Sequence, residues 1–444
     1  MSRIDRRRFV QLSGAGALTA GSGGLAGILA TGRAPAYAQG TTVHWLRWSD
    51  FVPASDQLLR NTIVPQCQKD LGIKLNYEAV NANDIQARIT SAVQSGSGPD
   101  IIMVVNNWPR LYVESLADVT DVAEAIGNEQ GGYYDLAKVI DNVDGKWIGV
   151  PWAIGGGLVA YRKSWFEEIG YKDGKFPGTW DEYRDAGKKL KAKGRPFGQT
   201  AGHTFGDAPG WWYPYLWSWG GKEIGDDKKS VALNSKETIE SVKFAVSLWK
   251  ETMDEGGLAW DDSSNNRAFL SGTISATNNG ASIYLEAKKK PDAYQTENGK
   301  PLFQDILHAR IPKGAGGQFA LPGPFTDMLM KYSPNQKPAK DFLKWVHSKP
   351  VFSQWFTSQQ GYTEGATKDW EKDPVWDLDP ILLPFRDLPK IGRTWGYAGP
   401  PGRASAEAVT KYVIVDMYAK AIQGMAPEDA VKWAHDELVK IYGA

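Results

Sequence analysis

Five short stretches that read as loops together mix aromatic rings with short polar side chains. They are Trp48-Ser49-Asp50, Asn106-Asn107-Trp108, His203 to Trp212, Asn278-Asn279-Gly280 and Trp395-Gly396-Tyr397. Polyhydroxylated molecules suit this mixture, because their C–H faces stack on rings while carboxylates and amides pair with their hydroxyls. Each buried hydrogen bond contributes about 1 kcal/mol, and stranding its partner costs roughly 1–3 kcal/mol. A micromolar site needs about 8 kcal/mol net, so several such contacts suffice after ordering costs. The chain carries 19 Trp, 18 Tyr and 15 Phe, more than loops alone require. Many must be core, and for Trp211, Trp212 and Trp217, in a run crowded with tryptophan, packing competes evenly with a ligand wall. His203 reads either as a satisfied polar residue or as a ligand contact.

Catalytic signatures are absent. The chain has no G-x-x-x-x-G-K-[ST], no H-E-x-x-H and no G-x-S-x-G. Its five histidines, at 44, 203, 308, 347 and 435, include no pair at metal-ligand spacing. Gly155-Gly156-Gly157 lacks the spacing of a dinucleotide fingerprint, and Asp141 to Gly145 reads as a turn rather than a calcium loop. Neither cofactor nor metal is therefore expected, and no enzymatic activity, although counting carboxylates leaves a glycoside-hydrolase pair open. Cys67, the single cysteine, precludes an intrachain disulfide and reads as a buried thiol.

The elements that must hold these loops alternate. Thr42–Trp48 reads as a strand, 54–70 as a helix and Lys74–Val80 as a second strand. Ile85, Ile89 and Val93 then mark one face of a helix starting near Asn83. Ile101 to Val105 is a continuous apolar run, the pattern of a strand buried on both faces of a parallel sheet. Thr179-Trp180-Asp181-Glu182 is a capping box, and Asn234 to Glu237 offers another capped start. From Pro338 the pattern is helical. Val409, Val413, Met417 and Ile422 mark one late helix, and Val431, Ala434, Leu438 and Ile441 another.

The first 38 residues read as an export signal. Asp5-Arg6-Arg7-Arg8-Phe9-Val10-Gln11 is a twin-arginine pattern, Leu12 to Ala30 a glycine-rich, weakly apolar run, and Ala36-Tyr37-Ala38 an A-x-A cleavage site. Periplasmic localisation by the twin-arginine route is expected. Removing five arginines and one aspartate leaves 46 basic and 50 acidic residues, a formal charge of −4, which gives no electrostatic reason to bind nucleic acid. The remaining 406 residues exceed a single core, so two lobes are expected.

Four segments carry a resemblance that spans residues 40 to 444. Gly98-Pro99-Asp100-Ile101-Ile102, Asp144-Gly145-Lys146-Trp147-Ile148-Gly149-Val150-Pro151, Pro177-Gly178-Thr179-Trp180-Asp181-Glu182 and Ser333-Pro334-Asn335 through Phe342-Leu343 stand in order. Together they resemble the extracellular solute-binding proteins of bacterial sugar ABC transporters, the maltose-binding-like group. The resemblance implies a periplasmic-binding-protein type II fold, two α/β lobes with a hinge and central ligand cleft. Boundaries were expected at 39–145 and 276–325 for lobe 1, and 146–275 and 326–444 for lobe 2. It further implies a monomer that captures a neutral sugar or polyol and delivers it to an inner-membrane ABC permease. By position it places Trp48 and Asp50 at the first strand's exit, and Asn107 and Trp108 after the third strand. It places Asn279 after a strand returning to lobe 1, His203, Asp207, Trp211 and Trp212 in lobe 2's loop, and Trp395 and Tyr397 before a late helix. A polyamine or glycerol-phosphate ligand, an exported glycoside hydrolase or oxidoreductase, and a chemoreceptor partner remain the alternatives. Asn106, Asn107, Asn278 and Asn279 favour a neutral ligand over a charged one.

Overall fold

The computed structural model describes residues 40–443, so the expected export signal lies outside the described residues. Among the described residues eleven strands occur in chain order: β1 Thr42–Trp48, β2 Lys74–Val80, β3 Ile101–Val105, β4 Asn142–Val143, β5 Lys146–Trp147 and β6 Val150–Gly155 come first. Then follow β7 Leu158–Arg162, β8 Ala276–Asn279, β9 Ile306–Ala309, β10 Gly323–Leu329 and β11 Glu364–Gly365. A six-stranded sheet has the order β11-β6-β10-β3-β1-β2, and a three-stranded sheet the order β8-β7-β9.

The first sheet is parallel only across β2, β1 and β3; β10, β6 and β11 join it antiparallel. All five residues of β3 are buried, as its unbroken apolar run requires at the sheet's centre. Helices cover both faces. The segment Pro53–Leu71 is one continuous helical stretch with a π turn at Leu59–Ile63, and it buries Cys67 completely. Asp144 and Gly145, both at positive φ, make the β4–β5 hairpin turn, while Asp141 ends a helix and Asn142–Val143 form β4, so only the last two residues of the expected Asp141–Gly145 turn do turn.

The second lobe wraps helices and the three-stranded antiparallel sheet around a second core. Thr179 caps the helix Trp180–Lys191, its Oγ1 accepting from Glu182 N–H while Glu182 accepts from Thr179 N–H. The helix Lys236–Thr252 is capped by Ser235 rather than Asn234. Asp207–Trp219 is apolar on every side and lies in the lobe's centre, as such a helix must.

The sheets divide the chain differently from the expected boundaries. β6 pairs with β10, so residues 146–155 belong to the first lobe rather than the second. β8 and β9 both pair with β7, so 276–309 belong to the second lobe. The helices Gln336–Val346 and Lys349–Gln359 also return to the first lobe, where Phe342 packs on Trp45 and Trp355 on Trp152. The error has one cause: strand partners far apart in sequence leave no local trace. The chain crosses between lobes at Gly155–Gly157, within 310–322, and between Trp376 and Leu382. No helix among the described residues is long and apolar enough to cross a membrane.

Candidate functional site

Where the lobes face each other, a cavity opens with about 830 Å³ of atom-free space, its mouth included. Trp48, Asp50, Phe51, Asn106, Phe325 and Tyr362 wall it from the first lobe. Phe205, Asp207, Asp262, Asn278 and Asn279 wall it from the second.

Strand ends fix the first-lobe side. Trp48 closes β1, its ring edge-on to Phe325 at 5.0 Å and tilted against Phe205 at 5.3 Å. Asp50 lies just past the strand, where Val52 N–H (2.8 Å), Ser55 Oγ (2.6 Å) and Gln359 Nε2 (2.9 Å) donate to its carboxylate. Burial still raises its pKa, Asp56 adds to the rise, and Arg47 opposes it from behind. That guanidinium is held between the rings of Trp45 and Trp152, at 4.7 and 4.8 Å.

The second-lobe side is organised by one helix terminus. Asp262 accepts from Phe205 N–H (2.6 Å), Gly206 N–H (2.8 Å) and Asp207 N–H (2.8 Å), taking up free amides at the start of Asp207–Trp219. Asp207, the first residue of that helix, accepts from Asn265 Nδ2 at 2.7 Å. Burial raises its pKa well above the carboxylate range, and Asp262 raises it further. Asn279 donates from Nδ2 to Asn266 Oδ1, and Asn278 is held through its backbone N–H by Gln199. Tyr362 lies over Gly280, and burial together with Asp50, Asp207 and Asp262 holds its phenol well above the ordinary value. Among the described residues no group of three or more His, Cys, Asp or Glu side chains forms a metal-ligating set. Rings, acceptors and carboxamides converge here, which is equipment for holding a donor-rich molecule.

Of the residues expected at the site, Trp48, Asp50, Asp207 and Asn279 line the cavity. Asn279 does so from the second lobe, since β8 belongs to that sheet. The others lie elsewhere. Asn107 is fully buried and donates to Ser405 Oγ at 2.9 Å, a strut between lobes. Trp108 is covered by Phe205, whose ring stands edge-on at 5.8 Å. His203 bonds Asp416 at 2.7 Å and stacks on Tyr412, exposed beyond the cavity wall. Trp211 and Trp212 fill the second-lobe core, the first against Trp180 and the second stacked on Tyr418 at 4.5 Å. Trp395 is buried behind Gly323, and Tyr397 lies beneath the Arg393 guanidinium. Asp262, Tyr362, Phe325, Phe205 and Phe51 were missed as individual residues. Phe205 lay inside the His203–Trp212 stretch already singled out, and Asp262, in Asp261-Asp262-Ser263-Ser264, carried the hint of a polar loop.

Comparison with known proteins gives a consistent picture. A family model described as bacterial extracellular solute-binding protein matches residues 53–351. A probable ABC transporter-binding protein of Deinococcus radiodurans is 23% identical over 263 residues, covering 56% of this chain and 58% of its own. The diacetylchitobiose binding protein of Streptomyces coelicolor is 28% identical over 122 residues, 27% of this chain and 28% of its own. The chain thus spans less than two thirds of the length of the curated relatives it matches. Among solved structures, maltose-bound MalE3 of T. maritima superposes with a TM-score of 0.74 at 21% identity, covering 90% of this chain and 99% of that one. A Thermotoga lettingae solute-binding protein with α-D-tagatose gives 0.75 at 21%, covering 91% and 100%.

Proposed function

This chain belongs to the bacterial extracellular solute-binding protein family, and from that premise we propose that it captures a sugar or polyol between its lobes for an ABC importer. Its fold is the two-lobed periplasmic-binding-protein type II fold of the maltose-binding proteins. One observation carries the ligand class: five aromatic rings, three carboxyl groups and three carboxamides share one interlobe cavity. The ligands named for similar proteins, among them maltose, ribitol and α-D-tagatose, support the same class.

Trp48, Asp50, Asp207 and Asn279 are the proposed contacts from the sequence, joined by Tyr362 and Phe325 from the structure. Hinge closure around a ligand is the motion established for periplasmic binding proteins generally. Here Gly155-Gly156-Gly157, joining β6 to β7, is the proposed hinge segment. The proposed setting is the periplasm, reached by the twin-arginine route, with a permease as partner and no reaction catalysed on the ligand. Calorimetry against mono- and oligosaccharides and polyols, with mass spectrometry of any co-purifying molecule, tests the assignment. Binding of one panel member at micromolar or tighter affinity, recovered unchanged, is expected; hydrolysis of the bound sugar would reassign the protein as an enzyme.

A further inference from the structure

No lysine or arginine is among the residues lining the cavity, although three carboxyl groups are. Charges of one sign confined in a low-dielectric space repel strongly, and buried carboxylates ordinarily have a cationic partner. Two of the three have donors of their own. Asp50 takes three hydrogen bonds and Asp262 takes three backbone amides. Asp207 has only Asn265, on Oδ2, and its Oδ1 accepts from no described residue. Asn278, 2% exposed and on the same wall, spends its Nδ2 on the Gly210 carbonyl, and its Oδ1 also accepts nothing. The unused polar atoms at this end of the cavity are thus a carboxyl and a carboxamide oxygen, with no cationic side chain among the lining residues.

A ligand hydroxyl brings one donor and no charge, whereas a protonated amine brings three donors and a positive charge, and aromatic faces attract it further. We infer that the ligand is a polyhydroxylated molecule bearing a protonated primary amine, an amino sugar or amino polyol, with its ammonium against Asp207. The inference rests on the binding function proposed above and narrows it; the Asn-rich loops by themselves pointed to a neutral ligand. Asp207 is faced by Asp262, Asp261, Asn265 and Tyr362, and Asp50 by Asp56, Arg47, Ser55 and Tyr362. Because burial favours the protonated form of Asp207 when no cation is present, an arriving ammonium, which favours the ionised form, would expel a proton.

Calorimetric titration of the purified full chain tests this with matched ligands. Glucosamine, galactosamine and mannosamine are each compared with the parent hexose and the N-acetyl derivative, and 1-amino-1-deoxysorbitol with sorbitol. Spermidine serves as the amine without hydroxyls. One amine is expected to bind at least tenfold more tightly than its neutral parent and N-acetyl form at low salt. Proton release should appear as different heats in phosphate and Tris buffers, and Asp207→Asn should abolish the preference. Should that variant fail to fold, the amine-to-parent ratio and the proton release in the unaltered protein decide. A neutral parent binding as tightly as its amine overturns the inference and leaves the sugar reading standing. Spermidine binding as tightly as the best amino sugar overturns the polyhydroxylated part, and silence across the whole panel overturns both readings.

Discussion

Trp48 and Trp212 are both almost wholly buried, yet their rings serve different ends. Trp48 turns one face to the cavity, whereas Trp212 is enclosed between Tyr418 and the Trp249 ring. Trp48→Leu keeps an apolar side chain but loses the ring face, so affinity for the ligand should fall tenfold or more while the unfolding midpoint moves by a few degrees. Trp212→Ala should do the reverse, costing about 3–5 kcal/mol of stability and leaving the folded fraction's affinity unchanged. Paired calorimetry and thermal melts check both. Sequence separated the two tryptophans only in part: Trp212 stands in an aromatic run where packing competes evenly with a ligand wall, whereas Trp48 ends a strand. Trp48 and Asp50 were legible because a strand's carboxyl end is where α/β sheets bind ligands. Tyr362 and Phe325 were not, since nothing beside them in the chain marks a cavity wall.

Local signals account for whole elements well. β1, β2 and β3 occupy the spans their alternation and apolar runs require, and the Thr179 capping box forms as written. Thr179→Ala should therefore cost about 1 kcal/mol in denaturant unfolding with no change in ligand affinity. The glycine crossing behaves differently. A Cβ at Gly157 would stand 2.7 Å from Asn278 Nδ2, so Gly157→Val should displace that carboxamide and weaken binding at least tenfold. Equal affinity in the valine variant would remove Asn278 from the site. What remained illegible at this scale was partnership. β6 and β10 each look like an ordinary strand, and no residue within either announces that they pair across the intervening second lobe.

The balance of buried ionisable groups sets how the whole molecule responds to pH. Burial pushes the pKa of Asp141 up to about 7, Glu223 to about 8 and Glu364 to about 9. The folded protein thus holds these protons where the unfolded chain, with carboxyls near 4, has lost them. Stability from these groups is present in full below about pH 4 and is lost as pH rises through 7 to 9, by up to about 1.4 kcal/mol per unit and group. His308 and His347, lowered by burial to about 4 and about 3, act oppositely: their share is lost as pH falls below about 6.5. Above pH 7 the histidines no longer contribute, and the buried Cys67 thiol, also raised by burial, acts in the same direction as the acids, so the unfolding midpoint should drop from pH 7 to pH 9.5, and Glu364→Gln should flatten that descent. Closure is a second property of the whole. Phe205 of the second lobe inserts against Trp48 and Trp108 of the first, so Phe205→Ala should enlarge the ligand-free radius of gyration in small-angle scattering, and added ligand should reverse the change. An unchanged radius would mean that other interlobe contacts hold the closed form.

The triple crossing of the chain also governs how the protein comes into being. The first sheet lacks β10 until residue 329 and β11 until residue 365, and the second lobe lacks its last helix until Tyr442. Domains made of one continuous segment can fold as they leave the ribosome. Neither lobe here has that option: β1, β2 and β3 emerge early and must wait, unpaired on the β10 side, while most of the second lobe is synthesised. Order of synthesis and order of assembly are therefore uncoupled, and each lobe is completed only by a segment made long after its first strands.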